Sequence, residues 1–140
     1  MRRAAAAALA ILLSLSPASA LVGGNSPGGL VSQFYRQEME LEARGEPVVV
    51  RGQCASACTV VLHNPRVCVA PGGGFMFHQA FDIPYGMGGP HVPNLEVSAA
   101  LFALYPPGVQ AWINARGGLT ARPLNMSAGQ AWAAGVARCK

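Results

Sequence analysis

Three short apolar runs, the first two separated by a helical pattern, constrain this chain more than any other feature. Pro47-Val48-Val49-Val50 and Val67-Cys68-Val69 are brief and β-branched, as expected of strands buried in a parallel sheet. Phe75-Met76-Phe77-His78 makes a third run after the turn at residues 71–74. Ahead of the first, Leu30, Val31, Phe34, Tyr35, Met39 and Leu41 recur among polar residues at the period of an amphipathic helix, which Gly45 stops. Between the first two runs, residues 56–63 suit a second helix, ended before Asn64-Pro65. Strand, helix, strand, strand and then helices predicts an α/β fold with a small, mainly parallel sheet and crossover helices. The order also makes the Val48–Val50 and Val67–Val69 runs parallel neighbours.

The second half is more irregular. Residues 82–93, dense in proline and glycine, read as a loop. Residues 95–104 suggest a helix halted by Pro106-Pro107, and residues 109–115 a shorter one capped by Gly117-Gly118. Residues 126–137 read as a last helical or turn segment.

The first twenty residues read as a signal peptide. Arg2 and Arg3 precede an apolar run from position 4 to 15, and Ala18-Ser19-Ala20 offers the small residues of a cleavage site. The run is shorter than the roughly 20 apolar residues that cross a bilayer, and no later segment is long and apolar enough. The rival reading is a buried first helix of the domain. Cleavage after Ala20 leaves a single domain over residues 21–140, located in the periplasm or secreted. Losing Arg2 and Arg3 takes the formal charge from +4 to +2. The remaining basic residues, from Arg36 to Lys140, are scattered and form no nucleic-acid patch.

Cys54, Cys58, Cys68 and Cys139 give an even count behind an export signal, which favours disulfides over free buried thiols. Zinc held by Cys54, Cys58, His63 and Cys68 ranks last, because no second tight pair closes such a site. No metal or organic cofactor is implied.

Ordered motifs add a resemblance. Asn25-Ser26-Pro27-Gly28-Gly29, Gly52-Gln53-Cys54-Ala55-Ser56-Ala57 and Met76-Phe77-His78-Gln79 resemble three segments of the proteolytic subunit of Clp protease, in the family's order. Met126-Ser127-Ala128-Gly129-Gln130-Ala131 is similar to its closing segment. The resemblance implies a Clp protease/crotonase-like fold, N-terminally trimmed, because the family has further strands and a helix before the first motif. It implies Ser56 as nucleophile, His78 as general base, and the N–H groups of Gly28 and Ala57 as oxyanion donors. Those roles also make sense physically. A serine at a strand-to-helix junction stands at the carboxyl edge of a sheet, and the next N–H points out of a helix N-terminus. Taken singly, each motif has a plainer reading: Ser56 as a helix N-cap, Pro27-Gly28-Gly29 as a turn, His78 as a core histidine.

The departures are as informative. Pro123 stands where the family carries its catalytic acid. Asp82 is the only aspartate, and on one straight strand it would lie about 13 Å from His78. Asn125 or a backbone carbonyl is left to orient the histidine. The family's ring-building segment is replaced by a Pro/Gly-rich loop, so neither its ring nor its ATPase partner is carried over. The expected function is an exported serine hydrolase acting on peptides. The alternative is a non-catalytic relative that binds a peptide or protein partner. A crotonase-type thioester enzyme is disfavoured, since acyl-CoA is cytosolic. If Ser56 opens a helix, Cys58 lies over the strand holding Cys68, which predicts Cys58–Cys68 and leaves Cys54 and Cys139 to pair or stay free.

Overall fold

Valine-rich runs build the first sheet, and the chain between them supplies the layers that cover it. The computed structural model describes residues 20–22, 24–84, 86 and 88–140. Apart from Ala20, the expected leader lies outside the described residues. Along the chain the elements are β1 (Ala20–Val22), α1 (Val31–Ala43), β2 (Val48–Val50), β3 (Gln53–Ala55) and a 3-10 helix (Ser56–His63). Then come β4 (Val67–Val69), β5 (Gly74–Phe77), β6 (Phe81–Asp82), β7 (Val92–Pro93), α2 (Leu95–Leu104) and α3 (Pro107–Asn114). The last are β8 (Leu124–Ser127), α4 (Ala128–Ala133) and β9 (Ala137–Arg138).

The protein is mixed α/β with small sheets, some of them parallel. One sheet runs β1-β2-β4-β9 with every pair parallel, and Val48 and Val67 are register partners as the sequence order required. Val48, Val50 and Val69 are at most 1% exposed, so this sheet anchors the core. A second sheet runs β3-β5-β8, with β3 parallel and β8 antiparallel to β5. A hairpin of β6 and β7 stands apart. One apolar cluster joins the valines to the 3-10 helix, to Phe75, Phe77 and Met126, and to Leu101, Val109 and Ile113 of the helices.

Local chemistry sets the boundaries. At the end of α1, Gly45 adopts φ +66, its N–H bonds to the Glu42 carbonyl, and the Glu46 N–H reaches the Leu41 carbonyl. That is the paired closure a glycine just past a helix permits. Asn94 caps α2 by accepting from the Val97 N–H, and Pro107 opens α3. Gly117 closes α3 as expected. The segment at residues 126–137 needs correction: Leu124–Ser127 is a strand, and α4 begins only at Ala128. Ser127 both ends that strand and forms a reciprocal capping box with Gln130, which is the helical signal visible in the sequence.

The cysteine pairing also needs correction. The bridges are Cys54–Cys58 and Cys68–Cys139, with Cα separations of 5.2 and 5.0 Å, not Cys58–Cys68 and Cys54–Cys139. The chain reverses at Ser56 and brings Cys58 back over Cys54. Cys139 lies beside β4, where its N–H bonds to the Val69 carbonyl and β9 pairs with Cys68 and Val69. Two disulfides are consistent with a secreted protein. They also consume the thiols of the zinc set weighed above. Among the described residues, no helix is long and apolar enough to cross a membrane.

Candidate functional site

Three chain segments lie side by side and end at one edge of the second sheet. Ser26 forms a parallel bridge with Cys54, and Cys54 is the parallel register partner of Phe75. Two residues past Ser26 comes Gly28, and two past Cys54 comes Ser56, followed by Ala57. His78 lies two residues past Met76, the partner of Ala55. Parallel neighbours are about 4.8 Å apart, so Gly28, Ser56-Ala57 and His78 leave adjacent carboxyl ends together. Open α/β sheets place their sites at such an edge.

Ser56 has an unusual backbone. Among the described residues it alone, apart from glycines, has positive φ, at +56°. That region costs an L-residue roughly 1–2 kcal/mol, so the surroundings must impose it. The Thr59 hydroxyl donates to the Ser56 carbonyl at 2.7 Å, and the buried Tyr105 hydroxyl lies 2.6 Å from Thr59 Oγ1. With its own proton on Ser56, Thr59 accepts from Tyr105. Burial also raises the Tyr105 pKa, which keeps that donor protonated, although the Thr59 hydrogen bond lowers it slightly. Gly28, at φ +88, backs onto the same turn. A side chain there would begin 2.6 Å from Ser56 Cβ and 3.0 Å from the Ala57 nitrogen. Only glycine lets the two backbones meet so closely.

Among the described residues no hydrogen bond joins the Ser56 hydroxyl to the His78 ring. His78 Nδ1 lies 2.7 Å from the Gln79 carbonyl. A carbonyl only accepts, so Nδ1 carries the proton and Nε2 presents its lone pair. The Gln79 N–H is held in turn by the Thr120 carbonyl at 2.9 Å. Asn125 does not orient this ring: its Oδ1 accepts from Gln53 Nε2 at 3.0 Å, away from His78. Asp82 is bonded instead to Asn94 Nδ2 at 3.1 Å. One step beyond the Phe77–Leu124 pair, the residue facing His78 across the antiparallel ladder is Pro123.

A cleft of about 360 Å³ opens beside His78, walled by Met76, Phe81, Pro93, Ala121 and Pro123. His78 stacks on Phe81 at 5.8 Å, and Phe81 stacks on His91 at 3.9 Å. Sequence reasoning gave His91 no role and missed Thr59 and Tyr105. Cys54 and Cys58 flank Ser56, two residues away on each side, and are joined as a disulfide. No known protein family matches this sequence, and no curated protein does.

Proposed function

We propose that this protein is an exported serine hydrolase, peptidase-like in substrate, acting in the periplasm or outside the cell. The observation that carries the reading is the close packing of Gly28 against the positive-φ turn at Ser56-Ala57, with His78 just past the end of the adjacent parallel strand. The ordered resemblance to Clp protease, and with it a Clp protease/crotonase-like fold, supports the same assignment.

In this mechanism Ser56 Oγ attacks the carbonyl carbon of a peptide or ester, and His78 Nε2 takes the hydroxyl proton. Backbone N–H groups of Gly28 and Ala57 stabilise the oxyanion that develops. His78 then gives the proton to the leaving group, and water completes turnover by the reverse sequence. The histidine is oriented by a carbonyl rather than a carboxylate, so its imidazolium gains no neighbouring charge. Loss of the triad aspartate costs a serine protease about 3 × 10⁴ in kcat, so slow turnover is the expectation for this site.

Pro123 opposite His78 favours a second reading, a non-catalytic relative whose cleft binds a peptide or protein partner. A fluorophosphonate probe separates the two. The hydrolase reading expects slow covalent labelling at Ser56 that is lost in Ser56→Ala and in His78→Ala. Labelling that survives Ser56→Ala places the nucleophile elsewhere. No labelling of the folded parent from neutral to alkaline pH leaves the binding reading.

A further inference from the structure

We infer that the Cys54–Cys58 disulfide is a positioning device for Ser56, which holds the nucleophile turn in its positive-φ form and so conditions the rate of acylation. This rests on the reading of Ser56 as a nucleophile and adds what sets its geometry.

The bridge encloses Ser56 symmetrically, two residues to each side, in Cys54-Ala55-Ser56-Ala57-Cys58. Four extended residues would separate the two Cα atoms by about 13 Å. The observed separation is 5.2 Å, so the chain turns back between them, and the positive φ falls on Ser56 midway. Cys54 is fixed on its own account, paired with Phe75 on one side and bridged to Ser26 on the other. The bond therefore draws Cys58, and the helix start with it, back over an immobile strand. Cys54 and Cys58 are buried while Ser56 is partly exposed, so the brace lies beneath the turn rather than over it. The other bridge, Cys68–Cys139, spans 71 positions and lies on the first sheet, so it serves as a control for general stabilisation.

The test compares the parent, Cys54→Ala/Cys58→Ala and Cys68→Ala/Cys139→Ala, each with and without Ser56→Gly. Fluorophosphonate labelling is expressed per folded molecule, and melting temperature is read by circular dichroism. Without the Cys54–Cys58 bridge, labelling is expected to fall at least tenfold, whereas loss of Cys68–Cys139 leaves it at the parent rate. Glycine relieves a positive φ but weakens a residue held in ordinary helical conformation. Ser56→Gly is therefore expected to raise the melting temperature of the parent and to lower that of the variant lacking Cys54–Cys58. Should the double alanine variant fail to fold, Cys54→Val/Cys58→Ala refills the volume and carries the comparison.

Equal labelling with and without the Cys54–Cys58 bridge, or the same rise on Ser56→Gly in both backgrounds, overturns the inference. An equal slowing when Cys68–Cys139 is removed overturns it too, because the effect would then be one of stability alone. If the parent does not label but the glycine effect reverses sign, the brace stands and the hydrolase reading fails.

Discussion

Removing the Cys68–Cys139 bridge should cost more stability than removing Cys54–Cys58. The bond joins β4 to the residue after β9 across 71 positions. In the chain-entropy account, a loop of that length gives about 4 kcal/mol of stabilisation, against about 2 kcal/mol for the four-position bridge at Cys54–Cys58. Packing adds little, because Cys68 and Cys139 are both only half-buried, so alanine at both positions mainly loosens the unfolded chain. A domain of this size has roughly 5–15 kcal/mol in hand, so the variant folds but melts about 15 °C lower. Urea unfolding followed by tryptophan fluorescence measures this directly. Trp132 is a built-in reporter, since its Nε1 donates to the Val69 carbonyl next to Cys68. The unfolded state also becomes less compact, so the dependence on urea should steepen. A loss below about 1 kcal/mol would refute the loop-entropy reasoning and place the stability in the sheet itself.

Two further outcomes follow from particular contacts. Gly28→Ala places a Cβ 2.6 Å from Ser56 Cβ in a backbone at φ +88. Strain plus crowding should cost about 2–5 kcal/mol and abolish labelling of Ser56 in whatever remains folded; labelling at the parent rate would remove Gly28 from the site. Glu38 is 1% exposed, and among the described residues neither carboxylate oxygen has a hydrogen-bond partner of good geometry. Burial raises its pKa above the ordinary 4.5, the Asn64 amide lowers it, Glu42 one turn on raises it and His63 lowers it. A raised carboxyl binds its proton more tightly when folded, so its stabilising effect is complete below pH 4.5 and is lost as pH rises through the raised value. Glu38→Gln should flatten that decline and gain on the parent towards neutral pH, as read from melting temperatures between pH 4 and 8. A parent that gains on the variant over that range would contradict this.

What the sequence revealed follows from how local each feature is. The Val48–Val50 and Val67–Val69 strands and the α2 boundaries were legible because burial, period and capping residues are written within a few positions. Gly28, Ser56 and His78 could be singled out as candidates because each lies in a short motif near a strand end. β8 was hidden because Ser127-Ala128-Gly129-Gln130 is a strong helix start and masks the four-residue strand before it. The Cys54–Cys58 pairing depends on a positive φ at a serine, which no residue type announces. Cys68–Cys139 depends on β9 pairing with a strand some 70 positions earlier. Tyr105 reaches the site through Thr59 from the far end of α2, a contact that only the assembled core creates.

The contrast between the two bridges also bears on the order in which they form. Closing a loop becomes slower as more chain must be gathered, and parallel strands distant in sequence meet late. Cys54 and Cys58 therefore meet early, while the rest of the chain is still searching. Once joined, they withdraw Cys58 from competition for Cys68, ten positions away. Cys68 is left with one available thiol, that of Cys139, which arrives when β9 docks on β4. Of three possible pairings, the observed one is therefore the one that order of encounter alone is expected to give. Oxidation trapped at successive times should show the short bridge first and the long one only with the completed sheet.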